Sequence, residues 1–299
     1  MLNETKNNDK ISKGFINVNG GKVWYKIVGT DKKGIPLLIL HGGPGAPHDY
    51  LEPLELLSND RPVIFYDQLG CGYSDFPNDT SLWTVCRFVD ELETVRSALK
   101  LDKMHIFGQS WGSMLAVDYI LNRNPNEVIS LILSGPCLSS RHFADDQKKY
   151  LLELPESMQK VIIDCEASGK YDYPQYQDAM MYYYKLHVCR LDLWPDYLNR
   201  CFEKMGHSVY EYMWGPSEFI MTGTLKDYNY IERLHEINIP VLFTCGEFDE
   251  ATPETTKLYQ SKCPGSEIYI FEDASHEHFI EKPELFMQVI RDFFSKIEK

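Results

Sequence analysis

Met104-His105-Ile106-Phe107-Gly108-Gln109-Ser110-Trp111-Gly112-Ser113 is the stretch on which the fold turns. It opens as a short apolar run, passes through Gly-x-Ser-x-Gly, and continues into a helical pattern from Ser113 to Leu121 that ends before Asn124-Pro125. A strand that turns sharply into a helix lifts the central serine hydroxyl clear of the sheet, where it can attack a carbonyl. Side chains at the flanking glycines would collide with neighbouring elements in so tight a turn. A Gly-Ser-Gly pentapeptide also arises as a plain turn. Here the strand before it and the helix after it are both in place, so Ser110 is read as a nucleophile.

Outward from that turn, short apolar runs alternate with helical patterns. Lys22–Val28 alternates like an early antiparallel strand after the turn signal Asn19-Gly20-Gly21. Pro36–His41, Val63–Asp67 and Val128–Leu133 read as buried strands. Leu82–Leu99 spaces Trp83, Cys86, Val89, Leu92, Val95 and Leu99 as one face of a helix. Such alternation predicts an α/β fold with a mostly parallel sheet and helices on both faces. From Leu138 to Tyr230 the pattern breaks into a polar, Tyr-, Met- and Trp-rich segment with helical stretches and no strand. It resumes with the strand Val241–Cys245, a helix over Pro253–Lys262, the strand Ile268–Phe271 and a final helix Pro283–Ile297. The expected organisation is a core of residues 1–137 and 231–299 with an inserted helical cap, 138–230. The insertion would overhang the carboxyl ends of the strands, where open α/β sheets bind ligands.

A serine nucleophile needs a base, and the base an orienting acid, in the chain order Ser, Asp or Glu, His. The strand Val241–Cys245 empties into Gly246-Glu247-Phe248-Asp249-Glu250, and Asp249 is the expected acid. Glu247 competes but lies nearer the strand. Beyond the last strand comes Asp273-Ala274-Ser275-His276-Glu277-His278, and His276 is the expected base. His278 competes from two residues further on. His41-Gly42-Gly43-Pro44-Gly45 follows a strand, as a second oxyanion element should. Pro44 has no N–H, so the donors expected to face a tetrahedral intermediate are Gly43 and Trp111. The remaining histidines, 48, 105, 142, 187, 207 and 235, read as loop or core residues.

Composition narrows the partners. Among 299 residues, 30 are basic and 44 acidic, a formal charge of −14 that would repel a phosphate backbone and argues against nucleic acid. The longest apolar runs, Ile35–Leu40 and Val128–Leu133, are too short for a membrane span. Met1–Lys10 is polar, without the apolar stretch of a signal peptide. The eight cysteines form no Cys-x-x-Cys pair, so reduced thiols are expected. No residue cluster reads as a metal site, and no cofactor is expected. These features point to a soluble, cytoplasmic protein.

His41-Gly42-Gly43-Pro44-Gly45, Tyr66-Asp67-Gln68-Leu69-Gly70-Cys71-Gly72-Tyr73-Ser74-Asp75 and Gly108-Gln109-Ser110-Trp111-Gly112-Ser113 together resemble the prolyl aminopeptidases, or proline iminopeptidases. These are serine peptidases of the α/β-hydrolase fold, and the resemblance runs along nearly the whole chain. It implies a helical cap after the sixth strand and removal of an amino-terminal residue, preferentially proline, from short peptides. It also implies carboxylates for the substrate amino group. Gly215-Pro216-Ser217-Glu218-Phe219 matches the cap motif that carries one of them, and Glu250, directly after Asp249, matches the other. Cap aromatics such as Tyr182, Tyr183, Tyr184, Trp194, Tyr210, Tyr212 and Trp214 could wall the pocket, and none is assigned to binding. An amidase or esterase acting on amino-acid amides or other small acyl compounds would share the same triad. A binding protein on this fold would typically lack a triad member, and dehalogenase or epoxide-hydrolase chemistry would want a carboxylate in place of Ser110.

Overall fold

In the computed structural model, which describes residues 10–298, every residue of β3 (Leu37–Leu40) and β4 (Val63–Tyr66) is buried. Unbroken apolar runs of this kind are what strands covered on both faces require. With β1 (Ile11–Val18), β2 (Gly21–Val28), β5 (Met104–Gln109), β6 (Val128–Ser134), β7 (Val241–Gly246) and β8 (Glu267–Phe271) they form one sheet, ordered β1-β2-β4-β3-β5-β6-β7-β8. The pairs β1–β2 and β2–β4 are antiparallel and the rest parallel. The parallel register sets Leu40 beside Gly108, Gln109 beside Ser134, and Gly246 beside Phe271. The carboxyl ends of β3, β5, β6, β7 and β8 therefore share one edge.

Side chains alternate between two apolar layers, as the period of a strand dictates. Leu38, Leu40, Ile64, Ile106, Leu131 and Leu133 pack with α1 (Val85–Ala98) and α2 (Trp111–Arg123). Leu37, Ile39, Val63, Phe65, Phe107 and Ile132 pack with a 3-10 helix (His48–Asn59) and the terminal helix. Each such side chain contributes about 1.5–3 kcal/mol by leaving water, which fixes the strand ends that carry the site.

Between β6 and β7 lie α3 (Ser140–Glu153), α4 (Glu156–Ser168), α5 (Pro174–His187), α6 (Asp196–Glu203) and α7 (His207–Met213), and no strand among the described residues. The two ends of this insertion are tied to each other. Tyr230 N–H donates to Leu138 O and Ser140 N–H to Tyr228 O, both at 3.0 Å. A further 3-10 helix (Ile231–Glu236) leads into β7. After it come α8 (Pro253–Lys262), the short α9 (His278–Glu281) and α10 (Pro283–Ile297).

Several elements escape a reading of the sequence, β1 and the first 3-10 helix the longest of them. β1 is an edge strand with only Ile16 buried, so it lacks the apolar signal of the inner strands. The 3-10 helix His48–Asn59 spaces Tyr50, Leu54 and Leu57 along one face, but Pro53 inside it reads as a break. The helix expected from Leu82 begins at Val85, because the Thr84 hydroxyl caps it by accepting from Arg87 N–H. Residues 1–9, part of the polar segment read above, lie outside the described residues. Among the described residues no helix is long and apolar enough to cross a membrane.

Candidate active site

Ser110 stands between β5 and α2 at φ 52°, ψ −118°, a conformation that costs a non-glycine residue strain. A Cβ on Gly112 would collide with the Leu40 carbonyl, so glycine there lets α2 close onto β3 and hold the turn. Trp111 is the first residue of α2, and its N–H is one of those that helix geometry leaves free. The loop after β3 carries Gly43 at φ 104°. Tyr50 fastens that loop to the turn. Its hydroxyl accepts from Gly42 N–H at 2.7 Å and donates to Gln109 Oε1 at 2.6 Å.

Beyond β7, Asp249 is fully buried. Its carboxylate accepts from Ala251 N–H at 2.8 Å and Gly246 N–H at 3.2 Å, and lies 2.7 Å from His276 Nδ1. Asp249 and His276 are thus brought together, and both competing residues are engaged elsewhere. Glu247 accepts from Asp273 N–H at 2.9 Å. His278 is buried behind the pair, with Nε2 2.9 Å from Ser134 Oγ and 3.0 Å from Thr244 Oγ1. Burial lowers its imidazole to about 4, so it is neutral.

Ser110, His276, Gly43, Glu218 and Glu250 all line one cavity of about 380 Å³ between the insertion and the strand ends. Tyr184, Tyr210 and Trp214 line it too. Tyr182 and Tyr212 face solvent instead, and Tyr183 is buried in the packing between α4 and α5. Glu218 accepts from the Tyr210 hydroxyl at 2.6 Å. Glu250 Oε1 is 3.6 Å from His276 Nε2, and its Oε2 lies 3.3 Å from the Tyr183 hydroxyl. Burial raises the Glu218 carboxyl, and burial together with the charge of Glu218 pushes Glu250 well up. Burial alone would lower His276, yet the carboxylates of Asp249, Glu250 and Glu277 outweigh it and raise the imidazole to about 10. A cation entering among these buried carboxyls would favour their ionised form.

The sequence reading overlooked several supports. The His187 carbonyl, at the end of α5, accepts from Glu250 N–H at 3.2 Å and His276 N–H at 3.1 Å, so the insertion positions both loops. His41 Nε2 accepts from Gln68 N–H at 2.9 Å, and Gln68 Oε1 accepts from the Trp111 indole at 2.8 Å. That hub gives the Tyr66–Asp75 motif a structural purpose. Tyr50 left no local signal, because it meets Gln109 across 59 residues of sequence.

Outside the cavity, His48, Asp49 and Glu52 place one ligand atom each within 4.8 Å of the others. Arg200 and Lys204 already occupy the acids, with Lys204 Nζ 2.7 Å from Asp49 Oδ1 and Arg200 Nη2 2.8 Å from Glu52 Oε1. The donor set is that of an ion-pair network.

Residues 35–283 match the family model described as alpha/beta hydrolase fold. A curated relative from Heyndrickxia coagulans, named proline iminopeptidase, is 45% identical over 289 residues, covering 96% of this chain and 99% of its own. Among solved structures, the crystal structure of VinJ has a TM-score of 0.92 and 33% identity, covering 96% of this chain and 99% of its own. The proline iminopeptidase of Mycobacterium smegmatis has a TM-score of 0.88 and 33% identity, covering 95% and 98%.

Proposed function

This chain belongs to the proline iminopeptidase family of the α/β-hydrolase fold, and we propose that it releases an amino-terminal residue, preferentially proline, from short peptides through an acyl-enzyme. The observation that carries the reading is the placing of Glu218 and Glu250 in the same cavity as Ser110 and His276. Two carboxylates in a partly desolvated pocket hold a substrate's primary or secondary ammonium group and admit one residue beyond the scissile bond.

Ser110 Oγ attacks the carbonyl of the first residue while its proton passes to His276 Nε2. Asp249, bonded to Nδ1, fixes the tautomer and stabilises the imidazolium. Gly43 and Trp111 N–H groups hold the oxyanion. The C–N bond breaks as His276 gives its proton to the leaving nitrogen. Water, activated by the same imidazole, then hydrolyses the ester, releases the amino acid and returns the proton to Ser110. The base must be neutral to begin. The incoming substrate cation offers Glu250 a counter-charge in place of imidazolium, which favours that neutral form.

The reading takes the cap as residues 138–230, supported by the backbone bonds that join its two ends. It takes peptides or amino-acid amides with a free amino terminus as substrates. It also takes the compartment as the cytoplasm, in keeping with eight cysteines held as free thiols. The alternative, an amidase or esterase with the same triad, shares the acyl-enzyme route, and where its substrates lack a free amino group it leaves Glu218 and Glu250 without a task.

The test compares arylamides of free proline, N-acetylproline and free alanine, with Ser110→Ala as blank. The expected result is rapid turnover of free proline and little of the acetylated analogue. Equal rates on both would replace this reading with the amidase or esterase.

A further inference from the structure

A third carboxylate, Glu277, follows the base and has no part in the chemistry above. It is 5% exposed and lines the active-site cavity. Its Oε2 is buried without a hydrogen-bond partner among the described residues. Burial lifts this carboxyl to about 8, although the charge of His276 pulls the other way. A buried carboxyl that no protein group pairs costs the fold stability. Its place in the lining of the cavity that holds Ser110 and His276 puts it where substrate binds.

Position says which ligand. Glu277 is anchored by its N–H to the Val188 carbonyl at 2.8 Å. Its charge bears on Tyr50 and Cys201, beside the Gly42–Gly43 loop and α6. The charges of Glu218 and Glu250 bear instead on Tyr183, Tyr184 and Tyr210 in the cap. Glu277 thus neighbours Val188, Tyr50 and Cys201, whereas Glu218 and Glu250 neighbour the cap tyrosines. On the proposed function, the first residue fills the Glu218–Glu250 flank and His276 protonates the leaving nitrogen. The second residue of the peptide must then lie toward Glu277, against Val188, Leu198 and Cys201, which line the cavity there.

We propose that Glu277 forms a subsite for the second residue of the substrate, selecting a side chain with an apolar stem and a cationic head, of the lysine or arginine type, and rejecting a carboxylate. Val188 and Leu198 receive the methylenes, as apolar walls do for such stems. The cation pairs with Glu277, and a charge-assisted contact in a dry site is stronger than a neutral one. This inference rests on the aminopeptidase reading and goes beyond it.

The experiment measures kcat/KM for prolyl dipeptide amides with lysine, norleucine or glutamate second. Norleucine matches the lysine stem without its charge, so the lysine-to-norleucine ratio isolates the head group. For the wild type the expected order is lysine over norleucine over glutamate, each step about tenfold or more, the size of one charge-assisted contact. In Glu277→Gln the lysine-to-norleucine ratio falls to near one, and Glu277→Asp retains part of it. Equal wild-type rates on all three overturn the proposal without needing any variant. An unchanged ratio in a Glu277→Gln protein that still reacts with a fluorophosphonate at Ser110 overturns it too. Failure of the aminopeptidase reading has a different signature, namely equal turnover of free and acetylated proline whatever follows it.

Discussion

Gly135 lies against the His276 imidazole so closely that a Cβ at position 135 would sit 2.6 Å from both Nδ1 and Cε1. The residue follows β6 at φ 50°, and its N–H donates to Thr244 O at 2.8 Å, so the backbone cannot retreat without breaking that bond. Gly135→Ala should push the imidazole off Asp249. A displacement of about 1 Å in a reacting group commonly costs about a hundredfold in rate. The expected outcome is a fall of that order in kcat on a prolyl arylamide, in a protein that still folds but with a lower thermal unfolding midpoint because alanine is strained at φ 50°. Wild-type kcat in this variant would mean that the imidazole does not need the place it holds.

Glu250 governs the charge of the base as well as the amino group. The groups facing His276 are Asp249, Glu250 and Glu277, with Glu218 from the cap. Anionic neighbours stabilise imidazolium, so removing one must lower the pKa of His276. Activity needs the neutral ring, so the acid limb of kcat/KM against pH should move to lower pH in Glu250→Gln. The shift should be at least about one unit, as for a charge at this range, and KM for free proline substrates should rise. A limb that stays in place, or moves upward, would separate Glu250 from the base.

Tyr50 is a structural strut between the two halves of the oxyanion site. Its hydroxyl takes the Gly42 N–H and gives to Gln109 Oε1. Tyr50→Phe keeps the ring packed and leaves a buried N–H and a buried amide oxygen unpaired, at about 1–3 kcal/mol each. Expected outcomes are a lower unfolding midpoint and a drop in kcat of about tenfold or more, the loss when one oxyanion donor is misaligned being larger still. KM should change little, because the amino-group carboxylates are untouched. A variant that lost only KM would place Tyr50 in substrate binding instead.

These supports explain which parts of the molecule the sequence discloses. The Ser110 turn, the inner strands and α8 and α10 are legible from local pattern: an apolar run bounded by glycine, a helix start marked by Pro253, or the apolar stripe of α10 opened by Pro283. Asp249 and His276 are legible because chain order and strand ends leave few positions for them. β1 is hidden because an edge strand carries little apolar signal, and the 3-10 helix at His48 because Pro53 inside it reads as a break. Tyr50, Gly135 and the His187 carbonyl are hidden for a different reason. Each acts on a residue far away in the chain, and only the closed sheet and docked insertion bring them together.

Glu277 yields a prediction about stability as well as specificity. Its carboxyl holds a proton up to about pH 8 in the fold, against an ordinary value of 4.5. Between those values the folded state binds more protons than the unfolded chain, so stability falls as pH rises through the window. Below it both states hold the neutral acid and the penalty is absent. Glutamine mimics the neutral form at every pH. The unfolding midpoint of Glu277→Gln should therefore exceed that of wild type above about pH 8, with the gap closing as pH drops toward 4.5. Thermal melts across that range decide it, and a gap independent of pH would trace the difference to packing. A group that weakens the unliganded fold at neutral pH and above is one whose use lies in what it binds.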